Sequence, residues 1–417
     1  MKVDARGCRV SGASGRALEH YERALAAWLT WRGDPRLAAR AACEEAPGFV
    51  MGHVLEAQLQ LCSRDPAGVD AASASLARAR ALARDAREQL HCAALAAGLA
   101  GDTDRAQALL GCLLAAQPRD LLALAAAHTL DNFLGDVRAL GGRVAGVLPA
   151  WSRGDAGYAG VLAMLAFGQE EAGEYRRAED SALAALELEP GSIRAHHAMS
   201  HVLEMQGRAA QGLRWMGERA EHWTGAGAAS THVWWHLALY HLMIGDTRHA
   251  LELYDRRIAA SPEPALNELI DASALLWRLR LAGVDGGARW GVLAMAWAPR
   301  AEEAYCAFSD LHAMLAFVGA GRRDLQRRLV RAQRRRLAHG GTNEGMLRDV
   351  GLPACEALEA FGRGRYDLAA ERLAGLPAVS HRLGGSHAQR GVLGLTLRAA
   401  QAQAMRRRVA ALVMARA

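Results

Sequence analysis

Four histidines set the chemistry to look for in this chain. His197 and His201 stand four residues apart in AHHAMSHVLEM, and Glu204 follows three residues later. On a helix all three share one face. His232 and His236 repeat the spacing in THVWWHLALYH, with Tyr240 continuing the row. If the two segments are neighbouring helices, four imidazoles and a carboxylate converge. Such a set binds zinc or another first-row metal through neutral imidazole nitrogens. It equally suits general acid–base work, because histidine titrates near neutrality. Asp271 and His312 join these as catalytic candidates, and Asp271, Asp310 and Asp349 are placed to orient imidazoles from behind. Trp235, Tyr240, His241, Asp349 and Arg390 are the candidates for ligand contact. HExxH is absent, so no metal is assigned and the cofactor is unknown. The competing reading makes the same His, Trp and Tyr residues the filling of an inner helical seam, hydrogen-bonded to one another. Trp234 and Trp235 are consecutive and cannot share a face; Met199 and Met205 read as core fillers.

The elements that must position these residues are helical hairpins. Helical periodicity dominates from about Gly15 onward, and no alternating strand run stands out. Gly101, Gly135, Gly173, Gly207, Gly245, Gly283, Gly321 and Gly364 fall 34, 38, 34, 38, 38, 38 and 43 residues apart. Glycine suits such sites because helices often close through a left-handed residue. The plainest repeat is Tyr158–Pro190, ending GEYRRAEDSALAALELEP. Its small and large apolar residues follow the tetratricopeptide period of about 34. Each glycine divides a first helix from a second. At least nine of sixteen histidines lie on first helices: His91, His128, His196, His197, His201, His232, His236, His241 and His312. Second helices carry mainly His222 and His249. In tetratricopeptide arrays the first helices line the concave face, so polar groups gather where a groove is expected.

The fold class expected is all-α, a tetratricopeptide-like superhelix or α-solenoid. Residues 1–417 would form a single domain of about ten hairpins, since a repeat array behaves as one body. Residues 1–15 read as a flexible N-terminus, and residues 386–417 as a C-terminal capping helix whose start is weakened by Gly391 and Gly394, the pattern recovering by Leu395.

Composition narrows the function. The formal charge is +6, and every cation except Lys2 is arginine. The arginines are spread out, apart from Arg331–Arg336 and Arg406–Arg408, which read as solvated helix faces, so no nucleic-acid partner is expected. No apolar run reaches the roughly 18 residues of a membrane span, and the N-terminus lacks the apolar core of a signal peptide, so a cytoplasmic location is expected. Seven cysteines without a CxxC read as small buried apolar residues of a reduced compartment.

Several motifs occur together, in order along the chain. REQLH (Arg87–His91), the HxxxHxxEM set (His197–Met205), HxxxH at His232–His236, LYD (Leu253–Asp255), DVGLP (Asp349–Pro353) and LGGSxAQR (Leu383–Arg390) resemble the tetratricopeptide repeat protein 38 family. The resemblance covers nearly the whole chain. It implies an all-helical superhelix folding as one unit and carries no reaction with it. Gly391 stands where the resemblance leads one to expect an acidic residue.

Two functions fit these residues. One is a pocket on the concave face for a small molecule or modified peptide, catalytic by general acid–base or metal-assisted chemistry. The other is a non-catalytic scaffold receiving a peptide in the groove. A carboxylate-clamp groove would be rich in Lys, Arg and Asn, whereas His, Trp and Asp occupy the first helices here. Whether the chain is an enzyme, and its oligomeric state, are not written in these residues.

Overall fold

A computed structural model describes residues 2–225 and 227–415. The fold is all-α, an array of tetratricopeptide-like helical hairpins of the α-solenoid class. All eight ruler glycines take a left-handed φ, from +65° at Gly135 to +89° at Gly283. That conformation lets the chain reverse between the two helices of a hairpin with no side chain to strain it.

Two compact units divide the chain. The first comprises Met1–Gln206 and Met216–Gly225, the second Gly207–Trp215 and Ala226–Ala417.

The first unit runs α1 (Gly15–Thr30), α2 (Pro35–Glu45), α3 (Val50–Leu61), α4 (Val69–Leu82), α5 (Ala86–Leu99), α6 (Thr103–Ala116), α7 (Leu121–Leu134), α8 (Val137–Val147), α9 (Tyr158–Glu171), α10 (Tyr175–Leu188) and α11 (Ile193–Met205). Helix α12 (Ala209–Glu218) carries the division between the units, and α13 (Ala220–Trp223) belongs to the first. Consecutive helices pack antiparallel, and first helices also pack on first helices, as α3 does on α5 and α9 on α11. Helix α1 is not left at one end: it packs against α7, α9 and α11. Arg194 at the start of α11 fixes this closure, its Nε donating to the Leu29 carbonyl at 3.0 Å and its guanidinium lying 4.8 Å from the Trp31 ring.

The stretch expected to be a flexible N-terminus holds a two-residue hairpin, Lys2–Val3 against Arg9–Val10. Buried Asp4 accepts from the backbone N–H groups of Arg6 and Cys8 and pairs with Arg6, which also reaches Glu22 on α1. Local side-chain-to-backbone bonds of this kind leave no hydrophobic period for a sequence reading to catch.

The second unit runs α14 (Ala228–Met243), α15 (Thr247–Leu253), α16 (Leu266–Leu281), α17 (Arg289–Trp297), α18 (Ala307–Gly319), α19 (Arg323–Arg336), α20 (Thr342–Met346), α21 (Leu352–Gly362), α22 (Tyr366–Leu373), α23 (Leu376–Val379) and α24 (His387–Met414). Tyr254–Ile258 and Leu347–Gly351 are wider π turns. Pro353 follows directly on the Leu347–Gly351 π turn inside a continuous helical run from Thr342 to Gly362, and the wider turn lies where proline cannot donate its hydrogen bond. Helix α24 is already regular at His387, eight residues before Leu395. Its start is held by a capping box between Ser386 and Gln389, and this outweighs the poor propensity of Gly391 and Gly394. It then packs on α16 and α22, and the Trp277 indole donates to the Thr396 hydroxyl at 2.9 Å. No described helix is long and apolar enough to cross a membrane.

The two helices of a hairpin differ in burial. Every residue of α11 from Ile193 to Leu203 is buried, as is every residue of α18 from Ala307 to Val318. On α10, by contrast, only Ala178, Ala182 and Ala185 are buried. First helices such as α11 and α18 are enclosed on all sides, whereas α10 shows one face to water.

Close packing of backbone supplies a test. A Cβ on Gly168 in α9 would fall 2.5 Å from the Cα of Gly141 in α8 and 2.9 Å from the Leu140 carbonyl oxygen. Gly168→Ala is expected to destabilise the protein by about 1–3 kcal/mol through overpacking. Gly146→Ala, at a helical site with open space around it, is expected to stabilise it by about 0.5–1 kcal/mol. Urea unfolding midpoints of both variants decide the matter; an unchanged midpoint for Gly168→Ala would contradict this packing.

Candidate histidine–carboxylate sites

In the first unit, α11 presents His197 and His201 from one face, their Nε2 atoms 3.0 Å apart. One ring must donate and the other accept, so at most one Nε2 carries the shared proton. Glu170, on the preceding first helix α9, brings its Oε2 to 3.6 Å from Nδ1 of His201. Both His201 and Glu170 are wholly buried. Phe167 lies against both imidazoles, 5.5 Å from His197 and 5.3 Å from His201, and the Trp31 ring lies 4.9 Å from His197. Glu170, Glu171 and His201 each offer a ligand atom within 4.8 Å of the others. Sequence reasoning had named His201 but not Glu170; the signal was the QEE that closes the neighbouring first helix. Glu204 is half-buried two turns below His197.

In the second unit, α14 presents His232 and His236 the same way, with ring centroids 5.0 Å apart. Asp271, from the next first helix α16, accepts from His232 Nδ1, with both carboxylate oxygens at 2.9 Å. Burial raises the Asp271 carboxyl, and the neighbouring His232 pulls it part of the way back. Burial holds His236 well below the usual imidazole range, with His232 and Arg278 adding their positive charge. Trp235 is fully buried, stacked 5.4 Å from His232 and 5.3 Å from the Arg278 guanidinium. Tyr240 is also fully buried, its ring tight against Gly212.

The remaining predicted residues lie elsewhere in the second unit. His312 donates through Nδ1 to the Phe308 carbonyl at 2.8 Å within α18. Asp349 pairs with Arg382 at 2.5 Å, joining the Leu347–Gly351 turn to the segment before α24. Arg390 turns back onto the Gly385 carbonyl. His241 bonds Asp246 at 3.2 Å, and His249 bonds the same carboxylate, forming a half-exposed group at the α14–α15 turn.

Other first-helix polar residues are structural. Asp120 accepts from Arg87 Nε at 2.6 Å and from His91 Nε2 at 2.9 Å, all buried. Burial alone would raise Asp120, but His91 and Arg87 together hold it well below the carboxylate range. His128 bonds the Met164 carbonyl at 3.1 Å, and burial pushes it down to about 3.

No family model matches the chain. Among solved structures it is similar to the TPR domain of P58(IPK), at 14% identity over 82% of this chain and 97% of that one, with a TM-score of 0.19.

Asp310 supplies a pH test. It lies on α18 facing α19, where among the described residues its carboxylate accepts only from Gln333 Nε2 at 3.1 Å, and burial raises its carboxyl to about 7. The unfolded carboxyl titrates at about 3.9. The folded value is the higher, so the contribution is fully present below about pH 4 and is lost as pH rises through 7. Relative to Asp310→Asn, the wild type is expected to lose on the order of 2 kcal/mol between pH 5 and pH 8. Urea unfolding of both proteins at the two pH values measures this; parallel behaviour would mean that Asp310 is ionised throughout.

Proposed function

We propose that the histidine–carboxylate groups of the first helices bind a polar small molecule or a modified peptide, and that His232 acts there as a general base oriented by Asp271. The observation that carries the reading is the contact of His232 Nδ1 with both oxygens of a buried carboxylate at 2.9 Å. A carboxylate in that position holds the proton on Nδ1, and so keeps the basic lone pair on Nε2. Trp235, stacked on the imidazole, limits its rotation. In the first unit, the His197–His201 pair with Glu170 provides a second set able to hand a proton between neighbours. The motifs that contain these histidines are those resembling the tetratricopeptide repeat protein 38 family, and membership of that family is part of the proposal.

A screen of metabolites and of acetylated, methylated and phosphorylated peptides, read by thermal shift on the full chain, tests the reading. Hits are expected to lose about tenfold or more in affinity in Asp271→Asn and in His232→Gln, the consequence of removing a charge-assisted bond worth about 1.5–3 kcal/mol. Circular dichroism establishes that both variants keep their helices. If the hits are unmodified extended peptides whose affinity neither substitution changes, the chain is a peptide scaffold and the base assignment is wrong.

A further inference from the structure

Outside these groups, the first hairpins bring a thiol, an imidazole and a carboxylate to one place. Cys43 is on α2; His53 and Glu56, three residues apart, are on the facing turn of α3. The Cys43 sulfur, a His53 ring nitrogen and a Glu56 oxygen all lie within 4.8 Å of one another. The sulfur rests against α3 itself, since a Cβ on Gly52 would meet it at 3.3 Å.

The imidazole is already set for one role. His53 Nε2 lies 2.9 Å from the Pro47 carbonyl oxygen. A carbonyl only accepts, so Nε2 carries the hydrogen and the Nδ1 lone pair of the neutral ring is turned inward. That Nδ1 is buried and has no hydrogen-bond partner among the described residues. His53 is only 2% exposed. Glu56 is oriented in turn: buried Ser75, on α4, donates to its Oε2 at 3.0 Å.

A repeat elsewhere in the chain shows which part of this is architecture. His196 Nε2 lies 2.9 Å from the Pro190 carbonyl oxygen, the same six-residue reach after a Pro-Gly turn. There Leu186 and Met199 occupy the places of Cys43 and Glu56. The proline–histidine bond therefore belongs to the hairpin junction. The thiol and the carboxylate are additions made only at the first junction, and apolar residues fill the same positions at the later one.

We propose that Cys43, His53 and Glu56 form a binding site for a zinc-like divalent cation, bridging α2 and α3. A thiolate, an imidazole and a carboxylate are ligands zinc accepts, and soft sulfur disfavours magnesium and calcium. Tetrahedral zinc spaces its ligand atoms about 3.3–3.7 Å apart, given metal–ligand bonds of about 2.0–2.3 Å, so side-chain rotation of about an ångström closes the set. Binding displaces the Cys43 thiol proton to solvent, and the thiolate and carboxylate together neutralise the ion. The Pro47 carbonyl and the Ser75 hydroxyl are the outer partners that fix the imidazole and the carboxylate. Three protein ligands leave a fourth position for water.

Chelator-stripped full-length protein titrated with cobalt(II), then with zinc(II), provides the test. The expected result is one equivalent of cobalt bound, with a sulfur-to-cobalt charge-transfer band in the near ultraviolet that zinc abolishes. Cys43→Ser is expected to remove the band, and Ser75→Ala to weaken binding about 10–100-fold. Zinc is expected to raise the unfolding temperature of the wild type and not of Cys43→Ser, because a ligand of the folded state alone stabilises it. Absence of the band in wild type, or its survival in Cys43→Ser through one of the other cysteines, overturns the site. Should Cys43→Ser fail to fold, Glu56→Gln decides: unchanged cobalt affinity overturns the proposal, and a loss of tenfold or more upholds it. His249→Asn, at the half-exposed group beside Arg248, is expected to leave the band unaltered, because that turn carries no thiol to produce it; loss of the band there would overturn the proposal.

Discussion

The rest of the structure depends on a single constraint: the central first helices have almost no face open to water. Helices α11, α16 and α18 are buried through most of their length on every side. A polar side chain on such a helix costs several kcal/mol unless a neighbour completes its hydrogen bonds. The neighbours are other first helices, so satisfying these groups also fixes how consecutive repeats stack. Arg87 and His91 on α5 meet Asp120 at the start of α7, and His232 on α14 meets Asp271 on α16. Each pair is also a register mark between repeats.

Enclosure sets ionisation as well as geometry. Where a buried group meets an opposite charge, as Asp120 does, it stays ionised; where it meets only an amide, as Asp310 does, it takes up a proton near neutrality. His128 and His196 bond only backbone carbonyls, and burial keeps both neutral. His232 differs from them in having a carboxylate behind it and a side chain only partly covered. Among these histidines, His232 combines a charge partner with incomplete cover.

Much of the fold was legible because it rests on local rules. The eight ruler glycines mark most hairpin turns because no other residue takes that φ so cheaply, although α3 turns toward α4 through Arg64 at φ +55°. What escaped depends on residues far apart or on competing local terms. Arg194 reaches Leu29 across 165 positions, and no spacing rule links them. The start of α24 read as weak because glycine propensity is easily counted, while the Ser386–Gln389 box that overrides it lies one turn earlier. The histidine rows were legible from their four-residue spacing. Their carboxylate partners were only half so: Asp271 was named, but Glu170 was hidden in a helix that otherwise reads as an ordinary repeat.

Hydrophobic residues would fill the same positions without loss of fold. Helix α9 runs from Val161 to Phe167 with no polar side chain, in the same enclosed setting as α11. Leu186 and Met199 complete a junction that Cys43 and Glu56 complete elsewhere. Replacing buried ionic groups by well-packed apolar ones of similar volume is often neutral or stabilising. Packing therefore does not explain why α11, α14 and α16 carry imidazoles and carboxylates. The apolar stretches of these helices are the internal comparison, and α9 shows both kinds, with Glu170 following its apolar run. The polar positions hold imidazoles and carboxylates beside neighbours the scaffold already supplies.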